Sequence, residues 1–281
     1  MSLDAAAVTQ SVCEFYTALP FNYTRDVDET VQLVQGNPLL AYPDLVGLLE
    51  SGRAPRLVEF GCGCGWLSAS AAWHYDVDTH GIDLTPRAIE RARAVARRLG
   101  IEDRTRFDVG DLLTIDPIRA PLVVSIGVLH HTFSTEIALA RIARSVEDGG
   151  SLYVGLYHEP GRKQFLRLMR DETARGGEAA ALATFARLVG RPPDDTFTQS
   201  WFRDQVLHPV ESLHTLRETV AWLDALGFFV ESSSVNHFAR FDDVAGLYAL
   251  EDEYAALSLR RNRDDGVFFP GFFTVLARRR P

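Results

Sequence analysis

The feature that most constrains this chain is the segment LVEFGCGCGW, residues 57–66, where an apolar run containing one acidic residue precedes alternating glycines. The run is typical of a buried strand, and the glycines that follow it are Gly61, Gly63 and Gly65. Glycine adopts left-handed backbone conformations and lets a backbone approach another group closely, at an entropic cost on folding. Three glycines directly after a strand therefore favour a tight loop built around a ligand.

Two other interpretations of this loop stay open. A tight strand-to-helix turn that binds nothing would also use glycine. Cys62 and Cys64 could offer two thiolates to a metal, but a structural site needs four ligands and no second pair accompanies them. We therefore expect no metal here.

Segments typical of strands and helices alternate after the loop. Thr85 suits the N-cap of one predicted helix, Pro86 suits its first turn and Gly100 its end. This alternation predicts an α/β protein with a doubly wound, mostly parallel seven-stranded sheet, helices covering both faces. Strands are predicted at residues 56–60, 77–84, 105–112, 121–129 and 151–157, and helices at 85–100 and 134–150.

The alternation breaks after residue 157. Residues 162–190 are helical in character and residues 191–209 are loop-like, so we interpret 158–212 as an inserted substrate cap. A helix at 213–228 and strands at 228–235 and 267–279 are then predicted to complete the sheet. The predicted domains are an N-terminal helical lid (1–50), a catalytic core (51–157 and 213–281) and the cap (158–212).

Charge and composition disfavour several classes of function. The net charge of −9 disfavours a nucleic-acid partner, and the arginines of helix 85–100 are interpreted as a solvated face. Neither a membrane span nor a signal peptide is evident, so we expect a cytoplasmic protein. Only Lys163 among 29 basic residues is a lysine, a bias that favours a GC-rich bacterial source and, by association, natural-product biosynthesis.

The glycine spacing separates two kinds of ligand. A dinucleotide loop has the pattern G-x-G-x-x-G, whose third glycine permits close helix packing. Here Trp66 occupies that third position, and the pattern is G-x-G-x-G instead. Asp83 ends the second predicted strand, where a carboxylate can accept both hydroxyls of a ribose, and Asp111 ends the third.

This arrangement resembles the class I S-adenosylmethionine-dependent methyltransferases. The likeness rests on Glu59 with the three glycines, the two aspartates, the segment VVSIGVLHHT and the pair Gly149–Gly150. It is strong over residues 54–157, weaker over 213–279 and absent from the cap. Many members carry aspartate where this chain has Glu59.

The resemblance implies positions for S-adenosyl-L-methionine. The methionine part would lie over Gly61–Gly65, the ribose on Asp83, and the adenine between Leu84 and Leu112 near Asp111. Aromatic residues of the N-terminal segment would cover the donor as a lid, or else simply pack on the sheet. The residues expected at the cofactor are Tyr16, Tyr23, Glu59, Gly61, Cys62, Gly63, Gly65, Asp83, Leu84, Asp111, Leu112 and Gly127, with Phe21 a further candidate.

The methyl acceptor is expected beyond the fourth strand. His130 and His131 are the candidates for a catalytic base, one facing the pocket and the other supporting the loop. Arg162 or Arg203 would hold an acidic group on the acceptor, although a surface ion pair is the alternative for each. The predicted acceptor-binding residues are Tyr157, His158, Arg162, Trp201, Arg203 and His208.

The function expected from the sequence is methyl transfer to an oxygen or nitrogen, less favourably a carbon, of a small molecule. An NAD(P)-dependent oxidoreductase is a second hypothesis, which Trp66 disfavours. A protein that binds S-adenosylmethionine without catalysis is a third, which only turnover would distinguish.

Overall fold

The computed structural model describes residues 5–280. It contains a seven-stranded sheet with the spatial order β3-β2-β1-β4-β5-β7-β6, in which β7 is antiparallel to both neighbours and the other pairs are parallel. This confirms the predicted fold class. The strands are β1 (Arg56–Phe60), β2 (Asp78–Asp83), β3 (Thr105–Val109), β4 (Ala120–Ile126), β5 (Val146–Tyr157), β6 (Phe228–Ser233) and β7 (Phe272–Arg279).

Helices precede the sheet, connect its strands and form the cap region. In the described residues, none of them is both long enough and apolar enough to cross a membrane. They are α1 (Ala5–Ala18), α2 (Val27–Gln35), α3 (Pro43–Glu50), α4 (Trp66–Tyr75), α5 (Pro86–Leu99), α6 (Thr135–Ala143), α7 (Glu159–Val189), α8 (Thr196–Val206), α9 (Leu216–Ala225) and α10 (Ala245–Leu259).

The central strands β1, β4 and β5 bury both of their faces, as near-continuous apolar runs predict. Successive side chains of a strand point to opposite faces. Thus Leu122 and Val124 of β4 pack with α3 and α4, whereas Val123 packs with α6 and α9 on the other face. This double burial fixes the register of the central strands, and hence the positions at which they end.

The cap region has a small apolar cluster of its own. Phe165 and Met169 of α7 pack there with Phe202 of α8. The backbone of α7 kinks at Gly176–Gly177, where φ and ψ leave the helical range. The division of the chain into lid, core and cap stays a prediction, and its outer limits, residues 1–4 and 281, lie outside the described residues.

One predicted helix is too long. The expected helix 134–150 ends at Ala143, and the chain enters β5 at Val146, where it pairs with Ala120. Gly149 and Gly150 therefore lie within β5. Gly150 is needed there because a Cβ atom would come within 2.8 Å of the Pro121 carbonyl oxygen.

Three further expectations were wrong or incomplete. The segment 191–209, predicted as loop, contains α8, whose N-cap Asp195 accepts a hydrogen bond from the Thr198 N–H. Helix α10 was not predicted. The arginine face of α5 is only partly solvated, since Arg91 is buried and donates hydrogen bonds to Thr24 and to the Asp26 carbonyl oxygen.

Candidate cofactor and acceptor site

A cavity of about 420 Å³ lies at the carboxyl ends of β1, β2 and β4. Helices α1 and α8 line its opposite side. This is the edge of an open α/β sheet at which ligands bind, and the volume lies within the range of small-molecule sites.

The three glycines of the loop meet two different needs. A Cβ on Gly61 would lie 2.3 Å from a Val128 methyl, and one on Gly65 would lie 2.8 Å from the Ala92 Cβ, so both allow close packing. A Cβ on Gly63 would have only the Phe21 carbonyl oxygen nearby, at 3.9 Å. All three have positive φ. Gly63 thus presents bare backbone to the cavity, whereas Gly65 does not line it.

Two carboxyl groups support this loop from beneath. Both oxygens of Asp83 are bound by backbone, Oδ2 accepting from the Gly63 N–H and Oδ1 from the Thr85 N–H, each at 2.8 Å. Glu59 accepts from the Ser68 N–H and hydroxyl. Burial raises the pKa of Glu59 to about 8 and also raises the pKa of Asp83. A cationic ligand or a hydroxyl donor would compensate these desolvated carboxyls.

The end of β3 and the loop after β4 complete this side of the cavity. Asp111 accepts a hydrogen bond from the Leu113 N–H at 2.8 Å. Gly127 has φ of 76°, and a Cβ there would meet nothing within 4 Å. The predicted cofactor residues that line the cavity are Tyr16, Glu59, Gly61, Cys62, Gly63, Asp83, Leu84, Asp111, Leu112 and Gly127.

The two predicted aromatic lid residues have separate environments. Tyr16 lines the cavity and donates a hydrogen bond to Asp204 Oδ1 at 2.5 Å. Tyr23 does not line the cavity. Its ring is covered instead by the guanidinium groups of Arg87 and Arg91, whose central carbons lie 4.6 and 4.1 Å from the ring centroid. Phe21 lines the cavity beside Trp201.

The two adjacent histidines also diverge. His131 lines the cavity, and its Nδ1 lies 2.7 Å from the Val210 carbonyl oxygen. Since a carbonyl can only accept, Nδ1 carries the proton and Nε2 of the neutral ring is a free acceptor. Burial lowers the pKa of His131 to about 3. His130 is fully buried away from the cavity, against Tyr157.

No role was predicted for Asp204 itself, although it lies between Trp201 and His208, which were predicted to bind the acceptor. It lines the cavity and accepts hydrogen bonds from Tyr16, from Tyr157 (3.2 Å) and from the Gln205 side-chain amide (2.8 Å). Its Oδ1 lies 4.0 Å from His131 Nε2. Only its neighbour Trp201, three residues earlier on a helix, was a signal in the sequence.

Arg162 lies behind Asp204 rather than in the cavity. Its fully buried guanidinium donates to both oxygens of Glu211 at 3.0 and 2.6 Å and to Gln205 Oε1 at 3.0 Å. It also covers the Tyr157 ring at 3.7 Å. The expectation that Arg162 holds an acidic acceptor is therefore wrong, since its hydrogen-bonding groups are committed to the protein. Arg162 instead orients the Gln205 amide toward Asp204.

The other predicted acceptor residues divide between the cavity and its surroundings. Trp201 lines the cavity. Arg203 does not, and its guanidinium covers the Phe15 ring. His158 is paired with buried Glu251 at 2.9 Å. His208 packs on the His131 ring with 3.7 Å between centroids, so it supports a cavity residue without reaching the cavity.

Comparison with known proteins agrees with this geometry. Residues 58–152, from β1 into β5, match the model of a family described as a methyltransferase domain. This part of the chain carries a methyltransferase domain. Within residues 5–280, no group of three or more histidine, cysteine or acidic side chains of this protein is arranged to hold a metal ion.

Relatives of the methyltransferase domain act on different molecules. Norajmaline N-methyltransferase of Rauvolfia serpentina is 26% identical over 61% of this chain and 62% of its own length. The 27-O-demethylrifamycin SV methyltransferase of Amycolatopsis mediterranei is 28% identical over 46% and 47%. The chain thus spans about half to three fifths of these curated relatives.

A solved structure extends the likeness in fold to the whole chain. Magnesium protoporphyrin IX methyltransferase from Synechocystis PCC 6803, solved with bound S-adenosylmethionine, has a TM-score of 0.55 to this protein. The match covers 99% of this chain and 98% of that one at 11% identity.

Proposed function

We propose that this protein transfers the methyl group of S-adenosyl-L-methionine to an oxygen or nitrogen atom of a small molecule. The observation that carries the proposal is the contact of Asp83 with the Gly63 N–H. It joins the end of β2 to the glycine loop, so that a carboxylate and bare backbone face one cavity. Such a cradle fits a ligand that carries both a ribose and an amino acid.

The residues assigned to the donor divide by chemistry. The carboxylate of Asp83 has lone pairs left for the ribose hydroxyls, and backbone around Gly63 is open to the methionine part. Leu84 and Leu112 offer apolar surface to the adenine, and Asp111 a carboxylate. S-adenosylmethionine supplies a methyl group activated by attachment to a positively charged sulfur.

The chain's own contribution is positioning and exclusion of water. A methyl transfer is a displacement in line with the bond that breaks, so orienting the acceptor supplies much of the rate. Helices α1 and α8 cover the cavity, and Tyr16 and Asp204 connect them. His131 offers its free Nε2 to an N–H or O–H of the acceptor.

The relatives support both kinds of acceptor atom. One is named as an N-methyltransferase, and the name of the other, a 27-O-demethylrifamycin SV methyltransferase, points to methylation of an oxygen. Both names refer to elaborate organic molecules, which is consistent with a role in natural-product biosynthesis.

The proposal is tested by thermal unfolding with S-adenosylhomocysteine, S-adenosylmethionine and NAD(P)(H) in parallel. A ligand at a hundred times its dissociation constant stabilises a protein by about 2.7 kcal/mol, equivalent to several degrees in Tm. We expect both adenosyl compounds to raise Tm and the nicotinamides to leave it unchanged. Stabilisation by a nicotinamide alone would refute the proposal.

A further inference from the structure

The ionisable side chains that line the cavity are mainly acidic. They include the carboxyl groups of Asp83, Asp111 and Asp204, together with Glu59, which is mostly protonated at neutral pH because burial raises its pKa to about 8. Among the residues that the structure describes, no arginine or lysine lines the cavity. A carboxylate-bearing acceptor would therefore be desolvated beside like charges, whereas a group that becomes cationic would find complementary charge.

A hydrogen-bond acceptor without a donor lies beside a carboxylate oxygen on the α8 side. His131 Nε2 is buried, carries no proton in the neutral ring and has no hydrogen-bond partner. Asp204 Oδ1, 4.0 Å away, accepts only from the uncharged Tyr16 hydroxyl. A buried acceptor without a donor is costly, so this pair is suited to a ligand that brings N–H groups.

The environment of Asp204 distinguishes it from a structural ion pair. All three of its hydrogen-bond donors are neutral side chains, namely Tyr16, Tyr157 and Gln205. Arg162, the nearby cation, donates its hydrogen bonds to Glu211 and not to Asp204. The carboxyl group of Asp204 is thus held in place, yet no bonded cation within the protein neutralises it.

Aromatic rings form the wall beside this pair. Phe21 is parallel to Trp201 with 6.1 Å between centroids, and Phe197 lies 5.2 Å from Trp201. All three rings line the cavity together with Tyr16. Aromatic faces attract ammonium groups and pack well against an apolar body.

We propose that the methyl acceptor is a secondary amine on an apolar scaffold, whose N–H is oriented by His131 Nε2 and whose nitrogen lies beside Asp204. This inference rests on the proposed methyl transfer and narrows its acceptor. The nitrogen lone pair forms the bond to the methyl carbon while the carbon–sulfur bond breaks with its electron pair on sulfur. The nitrogen ends as an ammonium, and the positive charge moves from sulfur to nitrogen beside Asp204.

An amine suits this site better than an alcohol. A free amine is methylated through its lone pair without first losing a proton, whereas an alcohol needs a base. Burial lowers the pKa of His131 to about 3, which makes its ring a hydrogen-bond acceptor and a poor base at neutral pH. Its role here is to orient the N–H.

The experiment compares three probes of one shape on the wild-type protein with S-adenosylmethionine: tetrahydroisoquinoline, tetrahydronaphthol and tetralin carboxylic acid. Release of S-adenosylhomocysteine measures turnover, and thermal shift with S-adenosylhomocysteine present measures binding. We expect binding and turnover of the amine alone, with kcat/KM rising with pH toward the pKa of the amine. Preference for the alcohol or the acid, or no binding of the amine at millimolar concentration, would overturn the proposal.

A pair of charge-removing variants gives the second readout. Asp204→Asn keeps the shape and an oxygen for Tyr16, and we expect it to lower kcat/KM for the amine about 100-fold. Asp194→Asn removes the same charge from an exposed position two residues before α8 begins and ten before Asp204, and should change nothing. Equal rates in the two variants would contradict the role of Asp204.

Failure of this inference differs from failure of the proposed function. If S-adenosylhomocysteine does not stabilise the wild-type protein, the proposed function itself is wrong. If it stabilises the protein and Asp204→Asn equally, while the amine is refused, only the acceptor assignment is wrong. The S-adenosylhomocysteine shift also reports whether Asp204→Asn is folded.

Discussion

The two sides of the cavity are constructed in different ways. The donor side (Glu59, Gly63, Asp83 and Asp111) consists of strand ends joined by contacts between carboxyl groups and backbone N–H groups. The acceptor side (Tyr16, His131, Trp201 and Asp204) consists of side chains from distant segments. Tyr16 and Asp204, for example, are 188 residues apart in the chain.

This difference indicates how each side is held. Backbone contacts at the edge of a doubly buried sheet survive most substitutions nearby, since the strands fix them. The acceptor side depends on a connected network of buried polar side chains, in which each member positions the next. We therefore expect it to be more sensitive to single substitutions outside the cavity.

The largest expected effect concerns Arg162. Arg162→Gln leaves the Glu211 carboxylate without its cation and frees the Gln205 amide, which should lower the free energy of unfolding by about 4 kcal/mol. Arg263→Gln removes an exposed ion pair with Asp171 and should cost about 0.5 kcal/mol or less. Urea unfolding measures both, and equal effects would show that the acceptor network is not rigidly held.

The glycine loop provides the next comparison. Gly65→Ala forces a Cβ against Ala92 and Phe107 at positive φ, which should cost about 3 kcal/mol of stability. Gly63→Ala meets no protein atom closer than 3.9 Å, so it should cost about 1 kcal/mol.

In ligand binding the order of the two glycine variants should be reversed, with Gly63→Ala the more strongly affected. The Cβ of Gly63→Ala projects where the donor is proposed to lie, so affinity for S-adenosylhomocysteine should fall more than stability does. Denaturant unfolding and calorimetric titration check the pair. Strong binding by Gly63→Ala would remove that glycine from the donor side.

The pH dependence of stability should separate the two sides without a ligand. The pKa of Glu59 is raised by burial to about 8, so the folded protein binds a proton that the unfolded chain has lost. Stability from this group is complete below its ordinary pKa and is lost as the pH rises through about 8, by up to about 1.4 kcal/mol per pH unit.

The buried histidines on the acceptor side give the opposite slope. The pKa values of His131 and His208 are lowered to about 3, mainly by burial, so stability falls as the pH drops below the ordinary histidine range. Unfolding measured from pH 4 to about 9 should show both limbs. Glu59→Gln should flatten the decline in stability that leads up to about pH 8, leaving the contribution of Asp83, and an unchanged decline would refute this assignment.

The smallest expected effect is that of a single hydroxyl. Tyr16→Phe removes one hydrogen bond to Asp204 and should raise KM for an amine acceptor about fivefold, equivalent to about 1 kcal/mol. Tyr23→Phe is the matched control, since that ring packs against Arg87 and Arg91 outside the cavity. Steady-state kinetics that rank the two variants equally would contradict the lid assignment of Tyr16.

The same contrast explains what the sequence could predict. The sheet and the placement of Glu59, Gly63, Asp83 and Asp111 along one cavity follow from local patterns, because parallel strands end at a common edge. Asp204 could not be found this way, since nothing local indicates that α8 meets α1. Arg162 was misassigned because a sequence does not reveal whether the partner of an arginine is a ligand or a protein carboxylate such as Glu211.

Helix boundaries failed for a related reason. The segment after Ala143 has no strong terminator before Gly149, yet the chain leaves the helix early so that Val146 can pair with Ala120. Tertiary pairing decides there against local propensity.

The measurement that tests the account most directly is calorimetric titration of S-adenosylhomocysteine into Asp83→Asn and Asp204→Asn. If the two sides of the cavity are separate binding regions, Asp83→Asn should bind about 30-fold more weakly than the wild type, as loss of hydrogen bonds to a charged group implies. Asp204→Asn should bind as the wild type does. Wild-type affinity in Asp83→Asn together with lost affinity in Asp204→Asn would contradict the assignment of donor and acceptor sides.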